Sequence, residues 1–389
     1  METGIIRHNC AAYVPRNDIR KKLEFLSDAS QYDLSCACGS KDQDRRVRGS
    51  DGAWLYPVSL LRGGNSFVFK TLVSNVCSND CKYCPYRNSR DIPRYTVSPD
   101  EMAGFFMEYV RNQKVYGLFL SSGVLGTADR TMEYLNGTAA IVRKKYGYRG
   151  YIHLKIIPGA SDAAIDEALS LSNAVSVNIE APGEKHFSLL SEKKNFLRDI
   201  VGPMKRISRL TKRGMIYSGV KQTTQFIIGA AGESDSEIVR YTAGLYERLK
   251  LDRVYFSAYQ RGLGHGSIPG ESTVIKNKEE GFIREHRLYQ VDFLFRKYGF
   301  GEGDILFDKS GRLSLTQDPK LVWAQANPSF FPVNINRAGK LELLRVPGIG
   351  PATARKIIKI RKDGKIRSED ALPLKGKRLN LAREYLKMG

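Results

Sequence analysis

Six short apolar segments that alternate with amphipathic stretches between residues 67 and 259 constrain the fold of this chain most. The segments are rich in β-branched and aromatic residues and nearly continuous in apolar character, as is typical of parallel strands covered on both faces. The predicted strands are Phe67–Ser74, Gly117–Ser121, Tyr151–Ile157, Ala174–Ile179, Thr223–Ile228 and Arg253–Ala258. Strands that are each followed by a helix predict an α/β fold, a partial (β/α)6 TIM-like barrel, with a doubly wound open sheet as the alternative.

Helical patterns separate these strands and continue beyond them. One begins at Ser98, where a possible N-cap precedes a proline in the first turn. The others are predicted at Asp129–Tyr146, Ser161–Leu171, Ile200–Arg213, Ser234–Leu249 and Glu279–Tyr298. Because chemistry in such barrels lies at the carboxyl ends of the strands, polar residues there are candidates for the site. His153 and Lys155 alternate on the third strand, so both are expected to face the barrel interior, with a substrate, cofactor or purely structural role.

Three cysteines follow the first predicted strand directly. Cys77, Cys81 and Cys84 have the spacing C-x3-C-x2-C, and Tyr83 lies between the last two. Soft thiolates suit zinc or an iron–sulfur cluster. A closed structural metal site has four protein ligands. Three cysteines therefore leave one metal position open for a non-protein ligand. The alternative is a zinc site completed by Cys36, Cys38 or a histidine. Cys10, Cys36 and Cys38 are either ligands of an auxiliary cluster or structural and free thiols.

This cysteine spacing after a barrel strand resembles the radical S-adenosylmethionine (radical SAM) superfamily. The resemblance implies that Cys77, Cys81 and Cys84 hold a 4Fe-4S cluster and that S-adenosylmethionine docks on its open iron. A Ser-Ser-Gly turn stands where that superfamily usually has a Gly-Gly-Glu type turn, so hydroxyls and backbone would have to replace the acidic residue. The S-adenosylmethionine contacts implied by the resemblance are Tyr83, Ser121, Ser122, Gly123, Asn178, Glu180, Gly229 and Gly232.

The carboxyl-terminal 57 residues form a separate basic module. Residues 333–389 contain 15 lysines and arginines against five acidic residues, whereas the whole chain has 62 against 41. Two short predicted helices are joined by a turn that contains Gly348, Ile349 and Gly350, and this arrangement resembles the helix-hairpin-helix DNA-binding module. Its glycines permit a tight turn whose N–H groups face a phosphate, and Lys356 and Lys359 add positive charge, with Arg361 and Lys362 nearby. Such modules grip the nucleic-acid backbone and read no bases. The alternative is a hairpin that only packs helices or binds protein.

Taken whole, the chain is similar to a family of radical SAM proteins with a carboxyl-terminal helix-hairpin-helix domain that is assigned to DNA modification or repair. The resemblance implies an enzyme that generates a 5′-deoxyadenosyl radical and acts on DNA. It also implies an electron donor such as a flavodoxin or ferredoxin, and a uracil-DNA-glycosylase-like protein as a partner. The alternatives are a DNA-binding protein with a structural or redox-sensing cluster, and a radical SAM enzyme that modifies RNA.

Charge and cysteine usage limit the environment of the protein. A net charge of +21 favours phosphate-rich partners. Six cysteines are too sparse for a disulfide scaffold, so a reducing cytoplasmic setting is expected. No apolar run is long enough to span a bilayer, and no secretory signal or membrane association is expected. The predicted domains are an amino-terminal extension (1–66), the barrel (67–298), a connecting segment (299–332) and the helix-hairpin-helix module (333–389).

Overall fold

A computed structural model describes residues 19–30, 47–48, 54–59, 65–112, 115–272 and 278–388. The chain divides into two compact units. The first comprises Met1–Ala231 and Leu249–Thr273, and the second comprises Gly232–Arg248 and Val274–Gly389. Cys10, Cys36 and Cys38 lie outside the described residues, and so does most of the predicted amino-terminal extension. No helix within the described ranges is long and apolar enough to cross a membrane.

The first unit is built on one eight-stranded sheet whose spatial order follows the chain. Strands β1 to β3 pair antiparallel, and β3 to β8 pair in parallel, each with the next along the chain. The strands are β1 Val47–Arg48, β2 Trp54–Ser59, β3 Asn65–Leu72, β4 Val115–Ser121, β5 Tyr151–Lys155, β6 Ala174–Ser176, β7 Lys221–Ile228 and β8 Arg253–Ala258. The parallel part corresponds to the six predicted strands and confirms the α/β partial barrel. The antiparallel β1–β2 edge was not predicted.

Helices connect the parallel strands, as strand–helix–strand crossovers require. Those of the first unit are α1 Ile19–Ala29, α2 Pro99–Asn112, α3 Ala128–Ala140, α4 Asp162–Leu171, α5 Glu184–Leu190, α6 Gly202–Leu210 and α8 Pro269–Ser272. π-Helical turns at Ile141–Lys145 and Phe196–Val201 extend α3 and precede α6. Helix α7, Asp235–Arg248, follows β7 in sequence but belongs to the second compact unit.

The two faces of the sheet differ in polarity. Phe69 of β3 is fully buried against the rings of Phe105, Phe106 and Tyr109 from α2, at centroid distances of 4.9–6.4 Å. Because successive side chains of a strand point to opposite faces, Lys70 next to Phe69 lies on the other face. That face, opposite the one that α2 covers, is called the inner face below.

The second unit is largely helical. It contains α7, α9 Lys278–Phe293, α10 Pro319–Ala326, α11 Lys340–Arg345, α12 Pro351–Asp363 and α13 Lys377–Arg383, with a short parallel pair formed by β9 Val333–Asn334 and β10 Leu386–Lys387. A buried ion pair between Asp235 and Arg284 (2.8 Å) links α7 to α9. The helices α11, α12 and α13 confirm the predicted helical carboxyl-terminal region.

The segment 299–332, for which the sequence predicts no element, contributes α10 and an aromatic contact. The guanidinium group of Arg345, at the end of α11, lies 3.8 Å from the ring centre of Phe300 and 4.5 Å from that of Trp323. Arg345 also pairs with Asp304 at 2.8 Å. The segment therefore packs with the helices of the predicted helix-hairpin-helix module.

Candidate functional site

The loop that carries the three cysteines leaves the sheet at the carboxyl end of β3. It is tied to its surroundings by backbone hydrogen bonds: Ser78 donates to the carbonyl of Val124 (2.9 Å), and Lys82 donates to that of Leu190 (2.8 Å). The side chain of Asp80 accepts from Ser191. The loop is thus fixed between the turn after β4 and the end of α5.

Two side chains brace this loop from within. The guanidinium group of Arg94 donates to four carbonyls of the loop, including those of Asn75 (2.6 Å) and Tyr86 (2.8 Å). Arg87 donates to the carbonyl of Cys84 (3.0 Å) and to two carbonyls after β8. Since five guanidinium N–H donors can satisfy several carbonyls at once, arginine suits this role. Sequence reasoning missed both residues because their partners are defined only by the folded loop.

All three cysteine thiols are free; Cys81 is buried and the other two are half-buried. Burial raises the pKa of Cys81 and of Cys84, and the proximity of the other cysteines adds to the effect. The ammonium group of Lys194 hydrogen-bonds Cys81; its burial lowers its pKa, but Cys81 and Glu180 overcome this and raise it. The predicted ligand residues are therefore grouped around one cation.

Three thiols are a donor set that suits an iron–sulfur cluster. Among the described residues, no group of three His, Cys, Asp or Glu side chains is placed to hold one metal ion. A cubane of four irons and four sulfurs is larger than one ion, and each cysteine binds a different iron, so its ligands need not converge on a point. Three thiol ligands would leave one iron of such a cluster open for a non-protein ligand.

Tyr83 and Glu180 meet although they are 97 positions apart. The Tyr83 hydroxyl donates to Oε1 of Glu180 at 2.9 Å, and burial together with the nearby carboxylate raises the pKa of Tyr83 well above its usual value. Glu180 has a positive φ of 62°, which is uncommon outside glycine. Its backbone is held there by hydrogen bonds to Gln225 and Ile227 of β7 (2.9 and 2.8 Å).

The other polar residue after β6, Asn178, faces Lys155 at the end of β5. Nζ of Lys155 donates to Oδ1 of Asn178 at 3.1 Å. The chain is anchored on both sides of Asn178 by Thr224, whose hydroxyl accepts from the N–H of Ile179 (2.9 Å) and donates to the carbonyl of Val177 (2.7 Å). Two residues predicted to contact S-adenosylmethionine are therefore held in place by β7.

The turn after β4 lies directly against the cysteine loop. Gly123 donates to the carbonyl of Ser74 at 2.7 Å, and Ser122 Oγ lies 3.4 Å from the same carbonyl. A Cβ atom on Gly123 would stand 2.4 Å from the carbonyl oxygen of Val76 and 3.2 Å from Cβ of Cys77. Only glycine allows this approach. Ser121 is buried at the end of β4.

The turn after β7 contains the remaining predicted cofactor-contact residues. Gly229 and Gly232 have φ values of +88° and +73°. Between them, the carbonyl of Ala230 accepts from the N–H of Gly270 at 3.0 Å, which links this turn to α8. The left-handed conformations explain why glycine occupies both positions.

The predicted hairpin between α11 and α12 is a tight turn with free donors. Gly348 has a φ of +82°, and Ile349 donates to the carbonyl of Val346 at 3.1 Å. Within the part of the chain that the structure describes, the N–H groups of Gly348 and Gly350 have no hydrogen-bond partner. The side chain of Ile349 is buried, so its contribution to an interface is limited to the backbone. The turn thus presents two donors at the beginning of α12, where a phosphate is favoured.

The basic residues of α12 have two different roles. Lys356 and Lys359 are exposed and make no ion pair among the described residues. In contrast, Arg361 donates to the carbonyls of Ile335 (3.2 Å) and Ala338 (2.6 Å), so it ties α12 to the entry of the module. Arg361 therefore has a structural role, and the flanking charge that the sequence predicts for it remains a prediction.

Two parts of the chain match known protein families. Residues 71–242 match the radical SAM superfamily, and residues 329–380 match the helix-hairpin-helix motif. The chain contains a radical SAM domain. Members of this superfamily use a 4Fe-4S cluster and S-adenosylmethionine, which are therefore the cofactors of this protein. No curated protein matches the chain.

Solved structures similar to this radical SAM protein share little sequence with it. The FeFe-hydrogenase maturase HydG from Carboxydothermus hydrogenoformans is 16% identical with a TM-score of 0.46; the match covers 59% of this chain and 52% of HydG. Methylornithine synthase (PylB) is 13% identical with a TM-score of 0.45; the match covers 72% of this chain and 71% of PylB. This chain spans about half the length of HydG.

Proposed function

We propose that this radical SAM enzyme acts on DNA, as a modification or repair enzyme. The observation that carries the proposal is that one chain combines the three-cysteine loop with a hairpin whose Gly348 and Gly350 N–H groups are free to bind a phosphate. The two parts have complementary tasks: the first generates a radical and the second binds the backbone of the substrate.

In this proposal Cys77, Cys81 and Cys84 hold the cluster. When bound, the cluster and S-adenosylmethionine supply a 5′-deoxyadenosyl radical that abstracts hydrogen, for which a one-electron donor such as a flavodoxin or ferredoxin is needed. The protein positions the cofactor: Tyr83 and Glu180, already hydrogen-bonded to each other, form one wall. The remaining contacts are Asn178, the turn Ser121, Ser122 and Gly123, and the turn with Gly229 and Gly232.

The hairpin binds DNA through its backbone in this proposal, which predicts affinity without sequence preference. The two free N–H groups and the beginning of α12 hold one phosphate, and the exposed Lys356 and Lys359 neutralise its neighbours. Because each neutralised phosphate releases counterions, the affinity falls steeply with salt.

The first experiment tests radical chemistry. Anaerobically reconstituted protein is reduced with dithionite in the presence of S-adenosylmethionine, and 5′-deoxyadenosine is quantified by mass spectrometry. We expect turnover that is lost in Cys77→Ala, Cys81→Ala and Cys84→Ala. If a fully loaded cluster gives no 5′-deoxyadenosine, the cluster is structural or senses redox state. If the three variants retain turnover, the ligand assignment is wrong.

The second experiment tests the substrate class. Binding to duplex DNA, single-stranded DNA and RNA of equal length is measured by fluorescence anisotropy over a range of salt concentrations. The double variant Lys356→Ala/Lys359→Ala should weaken binding to DNA and lower the salt slope by about 1.8, because each phosphate contact contributes about 0.9. Lys144→Ala/Lys185→Ala, which removes two exposed lysines of the first unit, is the matched control. Preferential binding of RNA would instead support an RNA-modifying enzyme.

A further inference from the structure

The first unit has a strongly cationic surface of its own, formed by α6 and the residues on either side of it. Between residues 198 and 213 the chain contains six lysines and arginines and a single acidic residue, Asp199. This is a higher density of net charge than that of residues 333–389. The cations, called the α6 surface below, are Arg198, Lys205, Arg206, Arg209, Lys212 and Arg213.

Helix α6 separates buried from charged side chains. Lys205 and Arg209 are exposed, whereas the buried side chains of the helix are Pro203, Met204, Ile207 and Ser208. Residues four positions apart lie on the same face of a helix, so Lys205 and Arg209 are neighbours about 6 Å apart along its axis. Neither side chain makes an ion pair or a hydrogen bond among the described residues. Like charges at this spacing repel each other, and an anionic ligand would relieve that repulsion.

A groove of about 460 Å³ opens beside these two cations. Its lining includes Asp162 of α4 together with Lys205, Arg206 and Arg209 of α6. The guanidinium group of Arg206 joins the two helices, because it pairs with Asp162 at 2.6 Å and with Asp166 at 2.7 Å. Ion pairs thus fix the walls of the groove and occupy its acidic residues, while Lys205 and Arg209 are available to an external anion.

The chain that leads into α6 also holds the cysteine loop. Asp80 of that loop accepts hydrogen bonds from the N–H groups of Glu192 (2.8 Å) and Lys193 (3.2 Å). Farther along, Asp199 lies against the turn after β5, where its Oδ1 atom would be 3.8 Å from a Cβ atom on Gly159. The α6 surface therefore begins at the carboxyl edge of the parallel sheet, the edge from which the cysteine loop leaves.

We propose that the α6 surface binds the sugar–phosphate backbone of DNA and leads it toward the cysteine loop. The proposal rests on the proposed action on DNA and adds a second backbone contact to that of the hairpin. Lysine and arginine contacts to phosphates supply affinity and orientation without reading bases. The α6 surface and the cysteine loop belong to the same compact unit, so a strand bound here has a fixed direction relative to the site.

Lysine footprinting on the reconstituted full-length protein tests where DNA lies. Acetylation by an N-hydroxysuccinimide ester is quantified by mass spectrometry, with and without a short DNA duplex, at the exposed Lys205, Lys356 and Lys144. We expect the acetylation of Lys205 to be several-fold slower when DNA is bound and that of Lys144 to be unchanged. Lys356 reports on the hairpin separately.

Substitution tests whether charge is what binds. Lys205→Ala/Arg209→Ala should weaken duplex binding about tenfold or more at about 0.1 M salt and lower the salt slope by about 1.8. Lys205→Arg/Arg209→Lys keeps both charges and should bind like the unmodified protein. Lys144→Ala/Lys185→Ala is the control for a general loss of positive charge. Fluorescence anisotropy measures the affinities, and the exposure of both residues makes the substitutions compatible with the fold.

Three results would overturn the proposal. If DNA protects Lys356 but not Lys205, the hairpin binds DNA alone and the α6 surface is only solvated. If the charge-retaining variant binds as weakly as the alanine variant, the contact is not to the backbone. If an acidic protein such as flavodoxin protects Lys205 and DNA does not, the surface belongs to a protein partner. The failure of the proposed function has a different pattern: DNA would protect neither Lys205 nor Lys356, which would refute the action on DNA and this proposal with it.

Discussion

Replacing Gly348 with alanine should disrupt the hairpin more than any comparable change nearby. Gly348 has a φ of +82°, where a residue with a side chain costs about 1–2 kcal/mol. Its new Cβ would stand 2.6 Å from the backbone oxygen of Arg378, and backbone cannot rotate away as a side chain can. Relieving such a contact costs about 1–3 kcal/mol more. The free energy of unfolding should fall by about 2–5 kcal/mol.

Gly364, at the end of α12, is the matched control. Its φ of 163° is extended backbone, and nothing lies within 4 Å of an added Cβ. Alanine there should change stability by less than about 1 kcal/mol. Urea unfolding of both variants, followed by tryptophan fluorescence, measures the difference, and anisotropy measures DNA binding. Gly348→Ala should also bind duplex DNA at least tenfold more weakly because the free N–H groups are displaced. Equal unfolding midpoints for the two variants would refute the argument.

Two further predictions concern stability and cofactor loading. Arg284→Met should destabilise the second unit by about 1.5–3 kcal/mol, because it removes the hydrogen-bonded cation beside the fully buried Asp235, which keeps the N–H of Leu313 (2.9 Å) and the more distant Arg312 (3.8 Å). Urea unfolding measures this loss, and a value below about 1 kcal/mol would contradict the prediction. Gly123→Ala should lower the iron bound per chain after reconstitution, because its Cβ would press on the carbonyl of Val76 next to the first cysteine. Gly219→Ala is the control: nothing lies within 4 Å of its added Cβ, so it should bind as much iron as the unmodified protein. Equal iron contents in Gly123→Ala and Gly219→Ala would contradict the prediction.

The strands and the cofactor class could be predicted because both depend on local sequence. Continuous apolar segments mark buried parallel strands, and three closely spaced cysteines already define a ligand set. The predicted end of β6 at Ile179 was too late: the strand ends at Ser176, where the chain turns toward the left-handed Glu180. That conformation depends on bonds to β7, which are long-range and leave no pattern in the sequence around Glu180.

Contacts between distant residues could not be predicted for the same reason. Arg94 looks like any surface arginine until the loop folds around it, and Arg361 looks like one more cation in a basic helix. Both are held by carbonyl groups, which every residue carries and which therefore give no sequence signal. The paired residues on the inner face are visible as an alternation along each strand, but their alignment across strands requires the register.

Lys320 of α10 connects the hairpin to the segment before it. Its side chain is buried, with 7% exposed, and its Nζ atom donates a hydrogen bond of 2.5 Å to the carbonyl of Ile349. The same Nζ atom lies 4.8 Å from the ring centre of Tyr298. Burial lowers its pKa from an ordinary 10.5 to about 7; Asp318 opposes the shift and Arg378 adds to it. The folded protein therefore holds this proton less tightly than the unfolded chain does.

Because the folded pKa of Lys320 is depressed, the unfolded state binds more protons between pH 7 and 10.5, and stability should rise with pH through that window. A depression of this size corresponds to about 5 kcal/mol. Lys320→Met lacks the titrating group and so does not gain this stability as the pH rises. The free energy of unfolding of the variant minus that of the unmodified protein should therefore be highest at pH 6 and fall by several kcal/mol by pH 10. Urea unfolding of both proteins at pH 6, 8 and 10 measures the difference. Parallel pH profiles would mean that the amine keeps its proton in the folded state, contrary to the consequence of its burial.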